Sequence, residues 1–276
     1  MRPILPSDLP RLEPNRWLND EIINAFLELL EERSNNEPSK FAKVKCFNNM
    51  FFPRYTNGGF EGVKFWTKRD DVSSLELLIF PFYDAANRHW SVGAAHLSKK
   101  LFLFFDSLNY KHDEQLHDMR RYVSKLLDDP TAAFWSAYNC KCPQQHNSDD
   151  CGVYALINAE RLAAQAEVKY ETTETAINAA RQGIKGALIN EKIGEIPWSS
   201  LEESHFSEAP EPAAPMEDLI VVISANDYKA IKDYVARPSS RFGSGIIKPF
   251  RLRRRNQAPL KLYENQLLRI LKDNAI

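Results

Sequence analysis

One cysteine in this chain is placed where a thiol can react. It lies in Pro143-Gln144-Gln145-His146-Asn147-Ser148-Asp149-Asp150-Cys151-Gly152-Val153-Tyr154. Val153, Leu156 and Ile157 recur behind it at helical spacing, which predicts a buried helix starting at Cys151. The first N–H groups of a helix have no partner inside it, and Asp149 or Asp150 is expected to cap them. The positive end of the helix dipole favours thiolate, the nucleophilic form. Gln145, six residues upstream, carries an amide NH2 that can donate to an oxyanion beside the sulfur. A thiol used in this way also needs a base, and the base needs an acid to orient it.

The base and acid follow from a hairpin. His89-Trp90-Ser91-Val92-Gly93-Ala94-Ala95-His96-Leu97 and Leu101 to Leu108 are two apolar runs joined by the polar turn Ser98-Lys99-Lys100. In an antiparallel pair the start of one strand lies beside the end of the other. His89 opens the first run and Asp106 closes the second, so a tight turn brings them to one end of a sheet. His96, His112, His117 and His205 are assigned no role. Cys140-x-Cys142, His146 and Cys151 do not form a zinc-ligand spacing, so no metal and no cofactor is expected.

Around these residues stand the elements that must position them. Asn19 is a plausible N-cap for an amphipathic helix over 20–33, with Ile22, Ile23, Phe26, Leu29 and Leu30 on one face. Trp17 precedes the cap and reads as a staple onto that helix. Residues 44–52 fit helix or strand, Leu75 to Phe82 a buried strand, 113–128 a second amphipathic helix and Phe134 to Tyr138 another strand. The helix from Cys151 runs to about Ala164, and Thr173–Asn190 is a further helix interrupted by Gly183 and Gly186.

Composition sets the class. The chain has 276 residues, 43% of them hydrophobic, and a net charge of −1. That supports one packed domain with an extension and gives no global bias toward nucleic acid. The four cysteines suit a reducing compartment, and neither a signal peptide nor a membrane span is expected. Residues 202–218 hold six acids and no Lys or Arg, whereas 229–262 hold ten Lys or Arg against Asp233 alone. The division is therefore a folded domain over 1–198, an acidic Pro-containing linker over 199–218 and a basic extension over 219–276. Within that extension, Ile220-Val221-Val222-Ile223 reads first as a strand of a small separate domain and second as a strand that adds to a partner's sheet edge. Lys248 to Arg255 is a nuclear-localisation-like or polyanion-binding patch.

Taken together, these motifs resemble the Ulp/SENP cysteine proteases, which process SUMO and related ubiquitin-like modifiers. The resemblance rests on Trp17-Leu18-Asn19-Asp20 with Ile22-Ile23, Phe51-Phe52-Pro53, Val63 through Trp66-Thr67-Lys68, His89-Trp90, Asp106-Ser107, and Pro143-Gln144-Gln145 through Asn147 to Asp150-Cys151-Gly152. It spans about residues 15–165, and the 51–68 block places it nearer the SUMO-specific branch than the deneddylase branch. It implies an α+β, papain-like fold: a central mixed sheet flanked by helices, with the catalytic Cys at a helix N-terminus. It implies Cys151 as nucleophile on the carbonyl of the modifier's C-terminal glycine, His89 as base, Asp106 as its orienter, and Gln145 with the Cys151 N–H as oxyanion hole. It further implies that Trp17 and Trp90 line a narrow tunnel for a Gly-Gly tail and that Asp20 contacts substrate. Core packing for the two indoles, and a first-turn acid for Asp20, are the plainer alternatives. The implied partner is SUMO or a related modifier with its conjugates, bound by a monomer in the nucleus or cytoplasm, with the Ile220–Ile223 strand as a second modifier contact. A Nedd-type modifier or ubiquitin as substrate, acetyl transfer on the same scaffold, and a non-catalytic SUMO-binding module are the rival readings.

Overall fold

The computed structural model describes residues 4–194, 196–198, 250–252 and 260–262. The chain divides into two compact units, Met1–Ala214 and Pro215–Ile276. The larger unit is α+β. Its five strands are β1 (Val44–Cys46), β2 (Leu77–Asp84), β3 (His89–His96), β4 (Leu101–Phe105) and β5 (Ser136–Cys140), and they lie side by side in that order. The outer pairs β1–β2 and β4–β5 are parallel, and the inner pairs β2–β3 and β3–β4 are antiparallel. Five helices flank this mixed sheet: α1 (Asp20–Asn36), α2 (Phe51–Gly58), α3 (Asp113–Leu126), α4 (Cys151–Ala163) and α5 (Glu174–Ile189).

Side chains alternate across the strands and build two cores. Leu77 and Ile79 of β2, Trp90, Val92 and Ala94 of β3, and Leu103 and Phe105 of β4 pack with α1, α4 and α5. Leu78, Phe80, Ala95, Phe102 and Phe104 pack on the other side with α2 and α3. Helix α4 is buried along its entire length, from Cys151 to Ala163.

Most expected elements occur, with instructive shifts. Asn19 caps α1 by accepting from the Ile22 N–H. The 44–52 run divides into β1 and the start of α2. The strand after it is Leu77–Asp84 and contains Pro81, which pairs only with Val92, because β1 stops opposite Ile79. Proline costs no ladder bond on an unpaired edge. Residues Pro130–Phe134 form a 3-10 turn, so the strand expected over 134–138 starts at Ser136 instead. Gly183 does not break α5. A Cβ there would lie 2.9 Å from Pro197 Cδ, so the glycine lets the segment carrying Trp198 close on the helix.

In the second unit, Phe250–Leu252 and Leu260–Leu262 pair as antiparallel strands. Part of the segment read as a basic patch is therefore strand. The linker, the Ile220–Ile223 strand and His205 lie outside the described residues. No helix among the described residues is long and apolar enough to cross a membrane.

Candidate active site

The hairpin places His89 and Asp106 as its geometry requires. β3 and β4 are in register with Val92 opposite Phe105, which leaves His89 and Asp106 at the same end of the sheet. His89 donates through Nε2 to Asp106 Oδ1 at 3.0 Å, with both side chains buried. Cys151 is the second group that acts on the imidazole. Burial alone would lower the His89 pKa. The hydrogen bonds to Asp106 and Cys151 and the fields of both outweigh it and raise the value to about 9. Asp106 responds in the opposite sense. Burial pushes its carboxyl up, but bonds from His112, His89 and the Leu108 N–H hold it well below the usual carboxylate range. The site therefore holds a proton on the imidazole more tightly than usual, next to a carboxylate.

Cys151 is 2% exposed and opens α4. Gly152 behind it serves close packing, since a Cβ there would stand 2.9 Å from Leu18 Cβ. Burial pushes the Cys140 and Cys142 thiols up to about 12, and Cys142 donates through Sγ to the Asp106 carbonyl at 3.3 Å. All four cysteines are free.

Gln145 is seated by the strand pair itself. The segment after β5 folds back over the end of β4, where the Gln145 N–H donates to Ser107 O at 3.0 Å. The Gln145 Oε1 accepts from Ser107 Oγ at 2.6 Å, and its Nε2 donates to Asn147 O at 2.7 Å. These two bonds fix which end of the amide is NH2. One N–H of that group satisfies Asn147, and the other is left to donate elsewhere.

The expected cap does not form. Asp150 is the residue before α4, yet its side chain makes no capping bond. The carboxylate is taken by a stronger partner: Arg181 of α5 donates to Asp150 Oδ1 through Nη2 at 2.5 Å and through Nε at 3.0 Å. Asn147 Nδ2 donates to Asp150 Oδ2 at 2.7 Å. A guanidinium fork outcompetes a neutral backbone N–H for an ionised acceptor. Arg181 is fully buried and also donates to the carbonyls of Arg11, Glu13, Arg16 and Asp149. It thereby ties the lead-in before Trp17 to the turn before Cys151, and it offsets the negative charge beside the sulfur. Sequence reasoning missed it. The signal was an arginine on the apolar stripe Ile177, Ala180, Ile184, Leu188.

The two tryptophans differ in burial. Trp17 is 42% exposed, Trp90 is 4% exposed. Trp17 Nε1 donates to Ser148 O at 2.8 Å, on the cysteine loop, and the Arg88 guanidinium lies 5.5 Å from its ring centroid. Trp90 Nε1 donates to Leu18 O at 3.1 Å, and its ring packs 4.7 Å from Tyr83. Both indoles are thus tethered between the lead-in and the cleft. Asp20 is exposed and lines a groove with Glu21, Asn24, Arg54 and Trp66. The other missed residue is His112. It is buried and donates through Nε2 to Asp106 Oδ2 at 2.6 Å. Its position six residues beyond Asp106 carried no periodic signal.

Residues 16–193 match the family described as the Ulp1 protease family, C-terminal catalytic domain. A Sentrin-specific protease of Caenorhabditis elegans is 33% identical over 158 residues, which is 55% of this chain and 22% of the worm protein. Ubiquitin-like-specific protease 1 of Saccharomyces cerevisiae is 29% identical over 174 residues, 61% of this chain and 27% of the yeast protein. The chain spans about a quarter of the length of these relatives. Among solved structures, the C-terminal Ulp1 protease domain in complex with Smt3, the yeast ortholog of SUMO, superposes with a TM-score of 0.58 at 28% identity. It covers 67% of this chain and 82% of that one.

Proposed function

This chain belongs to the Ulp1 protease family, and from that membership we propose that it is a cysteine peptidase that cuts after the C-terminal Gly-Gly of SUMO. The bond cut is the isopeptide bond of a conjugate or the peptide bond of a precursor. The observation that carries the proposal is the His89–Asp106 hydrogen bond at the sheet end, with Cys151 acting on the same imidazole from the start of a buried helix.

In this mechanism the Cys151 sulfur attacks the carbonyl carbon of the terminal glycine. The imidazolium of His89 supports the thiolate before attack and protonates the leaving amine as the tetrahedral intermediate collapses. A thioester remains. His89, now neutral, takes a proton from water, and the hydroxide formed releases the modifier's carboxylate and regenerates the thiolate. Asp106 keeps the imidazole in the tautomer that presents its free nitrogen to sulfur. The free N–H of the Gln145 amide and the Cys151 backbone N–H face the oxyanion in both steps, a donor being worth ~2.7–4 kcal/mol.

Trp17 and Trp90 form the two walls against an extended Gly-Gly backbone, where any larger side chain would meet an indole face. Asp20 contacts the modifier outside this channel. SUMO is favoured because the relatives are named Sentrin-specific or Ubiquitin-like-specific proteases and the structural neighbour is bound to Smt3. The free thiols suit a nuclear or cytoplasmic compartment.

The test is turnover of three precursors carrying short C-terminal extensions: SUMO, a Nedd-type modifier and ubiquitin. Cleavage of SUMO after Gly-Gly with the highest kcat/KM is expected. Preference for either of the others would overturn the substrate, and cleavage of none would overturn the activity.

A further inference from the structure

Asp106 is held by two histidines. Oδ1 accepts from His89 Nε2 at 3.0 Å and from the Leu108 N–H at 2.7 Å, and Oδ2 accepts from His112 Nε2 at 2.6 Å. A carboxylate can only accept, so His112 must be the donor. Its ring is fixed on three sides. It stacks on Phe104 with centroids 4.2 Å apart and planes 19° apart, and it meets Phe82 edge-on at 5.4 Å. Its backbone N–H donates to Asn139 Oδ1 at 2.8 Å, and Asn139 Nδ2 donates to Asp113 Oδ1 at 2.8 Å, which pins the entry to α3 onto β5. The ring has little freedom to turn, and the N–H it aims at Oδ2 is fixed by packing.

We propose that His112 is a positioning residue for the reaction: through its Nε2–H it fixes the plane of the Asp106 carboxylate, and so the direction from which His89 serves Cys151. Packing alone does not require a histidine here, because a phenylalanine would fill the same stack. The donor is the part that packing does not explain. Without it, a buried carboxylate oxygen loses its partner, and the group rotates to recover one. Rotation moves Oδ1 and carries the His89 imidazole with it. A misplacement of about 1 Å at such a site costs on the order of 10²-fold in rate.

This inference rests on the catalytic reading of His89 and Asp106, and its test includes a readout that needs no modifier. Three variants are compared with wild type: H112F keeps the stack and loses the donor, H112Q places an amide N–H at about the reach of Nε2, and H112N is too short to do so. kcat and KM are measured on the SUMO precursor, and the rate of Cys151 alkylation by iodoacetamide is measured at neutral pH without substrate. H112F and H112N should lower kcat by about 10- to 100-fold at unchanged KM and slow alkylation several-fold, and H112Q should restore most of both. Wild-type alkylation in H112F would overturn the proposal. Equal impairment of H112Q and H112N would also overturn it, since packing would then be what matters. If H112F does not fold, the Gln and Asn pair decides alone. Should wild type cleave no precursor, the proposed function fails, but the alkylation rates still answer this question.

Discussion

On the α2–α3 side of the sheet, Phe47, Phe51, Phe80 and Tyr122 pack edge-to-face and stacked at centroid distances of 4.7–6.1 Å. On the α1–α4–α5 side, the core is interrupted by charge. Arg33 pairs with Glu160 at 2.9 Å, and Arg181 pairs with Asp150 at 2.5 Å. The site lies where the two sides meet at the end of β3 and β4, and each side anchors one half of it. The aromatic side seats Asp106, through His112 stacked on Phe104. The charged side seats Cys151, through Arg181 on the turn before it. A stacked ring offers one directional hydrogen bond and tolerates small losses of packing. A buried ion pair holds several strands of chain at once and fails steeply when one partner goes.

That contrast predicts the largest effect at Arg181. R181A leaves the partly buried Asp150 carboxylate without its charge partner and frees four backbone carbonyls, and it should cost about 3 kcal/mol. Urea unfolding of the variant measures it. A loss below 1 kcal/mol would mean that the charged side anchors nothing. Next is Gln145, which sits between the two sides. Q145A should lower kcat on the order of 10²–10³-fold, with KM little changed, and pre-steady-state kinetics would show thioester formation as the slowed step. On the aromatic side, F104L should cost only about 1–2 kcal/mol by denaturation. It should also reduce kcat, because the ring under His112 is gone.

Smaller effects separate packing from propensity within α5. A Cβ at Gly186 meets nothing within 4 Å, while one at Gly183 meets Pro197. G186A should therefore raise stability by about 1 kcal/mol, and G183A should lower it. Thermal melts of the pair check the difference. A separate effect is in pH. His89 is raised from 6.5 to about 9 in the folded state. Its contribution to stability is complete below pH 6.5 and is lost as pH rises through about 9. Chemical denaturation at several pH values should show this decline in wild type and not in H89Q.

Much of this site was legible in the chain because its parts are local. A hairpin fixes which residues share a sheet end, so His89 and Asp106 followed from two apolar runs and a turn. Helical spacing behind Cys151 placed the sulfur at a helix start. Gln145 was readable as a donor near that start, although its pairing with Ser107 was not. What escaped depends on contacts between distant segments. Arg181 meets Asp150 across 31 positions and the Arg16 carbonyl across 165. No local preference for capping could reveal that an arginine elsewhere would claim the carboxylate. His112 escaped for another reason. It precedes α3 in an irregular stretch, where neither period nor propensity tells which way a ring will turn. Trp17 and Trp90 read alike in sequence, but only the strand residue is buried.

The proposed activity requires that Cys151 be the nucleophile. SUMO bearing a C-terminal electrophile in place of its last carboxylate should form one covalent adduct with the full chain, and peptide mapping should place it on Cys151. Cys140 and Cys142, whose thiols burial holds near 12, should remain unmodified. No adduct with Cys151 intact, or an adduct on either of the other two, would contradict it.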